Sequence, residues 1–261
     1  IDQGARWPRS LRIDRFDVTT DRWAGRDWWS LQPITRPLPP PARSSRATSP
    51  IDRFIEARLA EQGLDPSPPA TRRTFLRRVT FDLLGLPPST DQVDAFLADT
   101  APGAYSRLVD RMLASPLYGE RWGRHWLDLA RYADSDGFTI DAARSIWKYR
   151  DWVIGAINDD MPFDRFSTEQ LAGDLLPRAA VNQKVASGFN MLLQTTSEGG
   201  AQAKEYLAKY SADRVRNTSS IFLGVTLGCA QCHDHKYDPF TSKDFYRFAS
   251  FFADIQERGV G

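Results

Sequence analysis

From Ile51 onward, apolar residues recur every three or four positions rather than every two, and this regularity restricts the fold more than any other feature. In "SPIDRFIEARLAEQG", Ser49 stands where an N-cap belongs and Pro50 in the first turn. Ile51, Phe54, Ile55 and Leu59 share one face, and Gly63 follows as a terminator. "TRRTFLRRVTFDLLG" repeats the logic from Thr71 to Gly85, with Pro87 and Pro88 just beyond. "STDQVDAFLAD", "AYSRLVDRMLAS" and "YGERWGRHWLDLARYAD" give three more amphipathic segments. The pattern predicts further helices at about 145–159, 166–176, 180–193, 202–226 and 242–255. Period-two runs are missing. The expectation for residues 51–261 is an all-α, irregular multi-helix domain, too large for a simple four-helix bundle.

Residues 1–50 read differently. "RPLPPPARSSRATSP" (Arg36 to Pro50) is rich in Pro and Ser and should form an extended, polyproline-like linker. Before it stand Trp7, Trp23, Trp28 and Trp29, too apolar for a free tail. The reading is an extended Trp/Pro-rich N-terminal arm, ordered either on the helical body or by a neighbouring domain. A start without Met and the ending "IQERGVG" suggest a section of a longer protein.

Composition enters as a filter. With 41% apolar and 12% aromatic residues, the chain can bury a core. A net charge of +1, with arginines scattered among acids, lacks the field that phosphate backbones or anionic membranes require. No nucleic-acid partner is expected. No apolar run reaches eighteen residues, so no transmembrane segment is expected in this chain, and it does not open on a basic-then-apolar leader.

The chemistry is concentrated in "GCAQCHDH", Gly228 to His235, which holds both cysteines and two of the three histidines. Cys229, Cys232 and His233 spell C-x-x-C-H, the attachment signature of c-type haem. Two thiols three residues apart project to one side of a helical turn, where they can join the two vinyl groups of one porphyrin. The adjacent His233 then reaches the iron as proximal ligand. Two alternatives stand beside haem c. A zinc site could recruit Cys229, Cys232, His233 and His235, yet four ligands within seven residues hardly surround one ion tetrahedrally. A redox disulfide expects a βαβ context that the periodicity does not supply.

For the sixth iron ligand, His235 lies two residues past His233, roughly 200° around a helix, and fits better as a neighbouring support or an alternative metal ligand. His125 is the stronger candidate, set among Trp122, Trp126 and Leu129 on an expected buried stripe. Met191 offers a thioether, and a vacant sixth position is the third option. Arg214 and Arg216 could pair with haem propionates. Phe245, Phe248, Phe251 and Phe252 are expected as core against the cysteine segment. "ADSDGFTID" contains Asp134, Asp136 and Asp141 but lacks the full acid pattern of a calcium loop. No G-x-S-x-G, H-E-x-x-H or G-x-G-x-x-G occurs, so the common hydrolase and dinucleotide readings have no support.

Several long blocks carry a resemblance: "DLLGLPPSTDQVDAFLAD", "ERWGRHWLDLARYADSDGF", "YRDWVIGAINDDMPFDRFSTEQLAGDLLP" and "DRVRNTSSIFLGVTLGCAQCHDHKYDPFTSKDFYRFASFFADI". From about Trp28 to its end the chain resembles the planctomycete cytochrome-c-related domain of the second type, largely a domain of unknown function. The opening "IDQGARWP" resembles the tail of the first-type cytochrome domain that commonly precedes it. The resemblance implies a periplasmic or otherwise exported setting and neighbouring domains in the same polypeptide, and the haem reading adds a redox partner protein. It supplies no established reaction. The expected function is a mono-haem domain for electron transfer or redox chemistry. The alternative is a helical scaffold or binding module stapled by a Cys/His metal site or a disulfide.

Overall fold

The computed structural model describes residues 33–137, 141–196 and 199–256. Trp7, Trp23, Trp28, Trp29 and the opening "IDQGARWP" lie outside them. The chain divides into two units, Ile1–Thr71 and Arg72–Gly261.

In the first unit, residues 33–43 have no regular structure and α1 spans Pro50–Glu61. Ser49 caps it with a full capping box. Its Oγ accepts from Asp52 N at 3.1 Å, and Asp52 Oδ2 accepts from Ser49 N at 2.9 Å. The expected apolar face is not the buried one, since Ile51, Phe54 and Ile55 are exposed. Glu56 is buried instead, because the preceding turn lies on its side of the helix. Its carboxylate accepts from Ser44 N at 3.1 Å and from Ser44 Oγ.

The second unit is helical. It contains α2 (Arg72–Leu84), α3 (Thr90–Ala98), α4 (Ala104–Leu113), α5 (Pro116–Ala130), α6 (Trp147–Asn158), α7 (Phe163–Ala172), α8 (Val181–Ala186), α9 (Ala203–Thr218) and α10 (Ser242–Ser250). Among the described residues there is no strand, only an isolated bridge between Ser135 and Ala143. Side-chain caps from Ser89, Ser115 and Thr241 start α3, α5 and α10. Three apolar clusters form the interior. Leu76, Phe96, Leu108 and Met112 join α2 to α4. Tyr149, Val153, Phe166, Phe189 and Leu192 form the centre. Ala212, Val215, Leu227, Ala230 and Phe245 form the third, around α9 and α10.

The expected 166–176 helix passes from α7 to a 3₁₀ turn at Gly173–Leu175, and two longer expected helices are broken as well. The 180–193 segment changes from α8 to a 3₁₀ turn at Ser187–Met191. The 202–226 segment ends as α-helix at Thr218, widens into a π turn at Ser219–Leu223, and stops at Gly224 with φ 64°.

α5 buries a different face from the expected one. Trp122 is 41% and Leu129 53% exposed, and His125 is exposed as well. The buried positions are Gly119, Gly123 and Ala130, so the inward stripe is rotated by about one residue, roughly 100°, from the one the apolar pattern suggests. The reason is backbone proximity. A Cβ on Gly119 would stand 2.4 Å from the Ile154 carbonyl oxygen and 2.6 Å from Asn158 Nδ2. Gly119 N donates to Asn158 Oδ1 at 2.8 Å instead. Close helix approach through glycine outcompetes burial of the larger stripe.

The same rotation leaves Trp126 half-buried against Phe166 and Phe222, with ring centroids 4.8 and 5.6 Å apart. Its Nε1 donates to Gln170 Oε1 at 2.7 Å, and the Tyr149 hydroxyl donates to the same oxygen at 2.6 Å. Burial pushes the Tyr149 phenol up, so it stays protonated and able to donate.

The α5–α6 contact yields a paired expectation. Gly119→Ala should lower unfolding stability by about 1–3 kcal/mol, the usual cost of overpacking. Gly155→Ala, with nothing within 4 Å of its Cβ, should be neutral or stabilising. Urea unfolding of both variants checks this, and equal effects would contradict the close-approach account.

Candidate functional site

The C-x-x-C-H stretch follows the π turn. After Gly224 reverses the chain, Leu227–Gln231 forms a 3₁₀ turn, with Cys232 at its C-terminal end. A 3₁₀ helix has three residues per turn, so side chains at i and i+3 eclipse. The turn therefore sorts into three rows with different surroundings. Leu227 and Ala230 are buried, 3% and 0% exposed, against Ala212, Val215 and Phe245. Gly228 and Gln231 face Arg216 of α9. Cys229 stands at the third position of the turn and Cys232 caps it three residues on; both are exposed free thiols. Three steps of about 2 Å place their backbones roughly 6 Å apart along the axis.

The two histidines have opposite roles. His233 is exposed, and its Nδ1 lies 2.8 Å from the Asp234 carbonyl oxygen. A carbonyl oxygen only accepts, so this contact selects the Nδ1–H tautomer and leaves the Nε2 lone pair free. His235 has a side chain only 6% exposed. Its Nδ1 accepts from Asp238 N at 2.9 Å and Tyr237 N at 3.3 Å. Asp238 Oδ2 stands 3.5 Å from the same nitrogen, a pairing that would need a proton there. The shorter amide contact makes Nδ1 an acceptor, so neutral His235 holds its proton on Nε2. With His235 N donating to Phe240 O at 2.7 Å, this imidazole closes the turn leading into α10.

Other groups fix the segment from outside. Asp234 Oδ1 accepts from Ser242 N at 2.9 Å, and the Tyr246 hydroxyl donates to Gln231 O at 3.1 Å. Phe245 is buried beneath the turn as expected, whereas Phe251 is 80% exposed because α10 ends before it.

The remaining sequence candidates lie elsewhere. Neither exposed His125 on α5 nor Met191, at the end of the 187–191 turn, belongs to the core cluster that holds the cysteine turn. The Met191 carbonyl accepts from Arg144 Nη1 at 3.3 Å. Arg214 is buried, with its Nε donating to Asn190 O at 2.8 Å, and so serves the interior rather than a surface anion. In the aspartate-rich loop, Asp141 Oδ1 accepts from Gly137 N and Asp136 Oδ1 from Thr195 Oγ1, which is turn chemistry.

Among the described residues, no three His, Cys, Asp or Glu side chains converge as a metal-ligand set. No described helix is long and apolar enough to cross a membrane. In its donor chemistry the site does fit a covalently held haem: two accessible thiols on one row, followed by an imidazole presenting a free Nε2. The π turn and the pairing of Arg216 with Gly228 were not visible in the sequence. The Gly three residues before Gln231 is the one signal that could have pointed to the latter.

The histidine roles separate in a stability test on protein without cofactor. His235→Ala removes the acceptor for two backbone amides and should cost about 1–3 kcal/mol. His233→Ala should leave the thermal midpoint nearly unchanged, and a reversed order would overturn the assignment.

No curated protein and no solved structure matches the chain. A family model does. PSCyt2, described as a protein of unknown function (DUF1549), matches residues 50–257, from the start of α1 to beyond α10. This agrees with the resemblance to the second-type planctomycete cytochrome-related domain, and the chain belongs to the PSCyt2 family.

Proposed function

We propose that the domain is a c-type mono-haem module that exchanges electrons within a larger exported protein. The observation that supports it most is the exposed pair Cys229 and Cys232, three residues apart across the end of the turn, followed at once by His233, whose Nδ1 contacts the Asp234 carbonyl and leaves Nε2 facing away from that bond. In this reading Cys229 and Cys232 would hold haem c through thioether bonds and His233 would ligate the iron. When bound, the haem supplies a one-electron couple between ferrous and ferric iron.

The chain's own residues do the positioning. The Asp234 carbonyl holds the His233 ring by its Nδ1–H, a bond of the kind that fixes ring orientation and raises the basicity of the ligating nitrogen. Buried Leu227 and Ala230 seat the turn on α9 and α10. The remaining position on the iron would be taken by His125 or Met191, neither of which packs in the core cluster under the cysteine turn, or would stay open. The exposure of the two cysteines suits electron exchange with a neighbouring domain or a redox partner, and c-type attachment would accord with a periplasmic or otherwise exported setting. A first-type cytochrome domain, whose tail the opening residues 1–8 resemble, would be such a neighbour.

The test is a pyridine haemochrome spectrum with intact mass, on protein made in a periplasm with haem-attachment machinery. A c-type band and one added haem mass are expected. Cys229→Ala with Cys232→Ala should abolish covalent haem, and His233→Ala should alter the Soret band. Substituting His125 and Met191 separately identifies the sixth ligand. Unmodified mass, where a control cytochrome matures, would sink the reading.

A further inference from the structure

A 3₁₀ turn of five residues is a strained choice for a segment that must present two thiols. Its hydrogen bonds are poorer than those of an α-helix, and such runs are usually short. Relaxation to α geometry would turn three residues through roughly 300° instead of a full circle, swinging Cys232 about 60° off the row of Cys229. Something must hold the turn in its tighter form.

The row of Gly228 and Gln231 shows what does. Arg216 lies across both residues. A Cβ on Gly228 would meet Arg216 Cγ at 3.2 Å, Nε at 3.3 Å and Cδ at 3.4 Å, so the arginine stem occupies the space a side chain would need. Beyond Gly228, Arg216 Nη2 donates to Gln231 Oε1. From α10, the Tyr246 hydroxyl donates to the Gln231 carbonyl. Gln231 is thus tethered to α9 through its side chain and to α10 through its backbone, while Leu227 and Ala230 are buried below. Two rows are fastened and the third, carrying both thiols, faces solvent.

We infer that Arg216 is a positioning residue for Cys229 and Cys232, and that the clamped pair is a bidentate dithiol site for a thiophilic centre that forms two bonds to sulfur. The inference rests on the thiol geometry that also supports the haem reading, but it does not require haem. Trivalent arsenic is the cleanest probe, because one arsenic needs two sulfurs delivered together. With phenylarsine oxide, both thiol protons pass to the arsenic-bound oxygen, which leaves as water. Two As–S bonds form, arsenic stays trivalent, and nothing is oxidised or reduced.

The experiment uses the full chain, reduced and without haem, titrated with phenylarsine oxide. Expected are one arsenic per chain by intact mass and protection of both cysteines from iodoacetamide. Arg216→Ala should weaken the complex about tenfold, about 1.4 kcal/mol. The rates at which iodoacetamide alkylates each free thiol, and the helical circular dichroism, should not change. Arg216→Lys should restore part of the loss, and Gly228→Ala should mimic it by displacing the arginine. Failure of the wild type to take one arsenic, or equal affinity in Arg216→Ala, overturns the inference. If Arg216→Ala also loses helix, Gln231→Ala decides, since it removes only the side-chain tether; unchanged affinity there is equally fatal. Tight arsenic binding in a chain that never acquires haem would sink the haem reading alone.

Discussion

Much of the second unit depends on the approach of α5 to α6 through Gly119. With no side chain at that position, α5 sits against the Ile154 carbonyl, and the contact fixes the rotation of the helix about its axis. Rotation then decides which large residues turn inward. Trp126 reaches Gln170 and Tyr149, and its ring meets Phe222 within the π turn. His125, one residue earlier, is left at the surface. One backbone contact therefore both anchors the segment that precedes the cysteine turn and removes a histidine from the interior.

Phe222 links that contact to the π turn. A wide turn followed by Gly224 in the left-handed region ends α9 and lets the chain double back, so that Leu227 and Ala230 lie on α9 and α10. Continuing α9 as a regular helix would have carried the cysteines away from that support. The 3₁₀ form of the next turn then divides burial, tethering and exposure among the three sides of C-x-x-C. An α-helical turn, with 3.6 residues per repeat, would blur those rows.

How much of this the sequence shows depends on whether a signal is local. The capping boxes at Ser49 and Ser89 are legible because cap and partner lie three residues apart. The pairing of Cys229 with Cys232 is legible for the same reason. The α5 stripe is misleading because the apolar count favours Trp122 and Leu129, while the deciding fact, an Ile154 carbonyl against Gly119, sits 35 positions away in sequence. Glu56 misleads similarly, since a carboxylate on an amphipathic helix reads as exposed until Ser44 supplies its donors. The break at Thr218 escapes a periodicity argument because "SSIFLG" continues the apolar spacing of α9.

The histidines at 233 and 235 show why adjacent motif residues need not share a function. Both follow the cysteines and both are chemically capable of binding a metal. The backbone separates them by what each Nδ1 meets: a carbonyl oxygen for His233, two amide N–H groups for His235. Since an imidazole with one nitrogen committed can offer only the other, the first presents a lone pair on Nε2 and the second a proton. His235 is nearly buried and closes its turn, while His233 is exposed beside two exposed thiols. A zinc staple would need both imidazoles aimed at one point with both lone pairs available. The proposed haem would need only one, that of His233, beside the two exposed thiols.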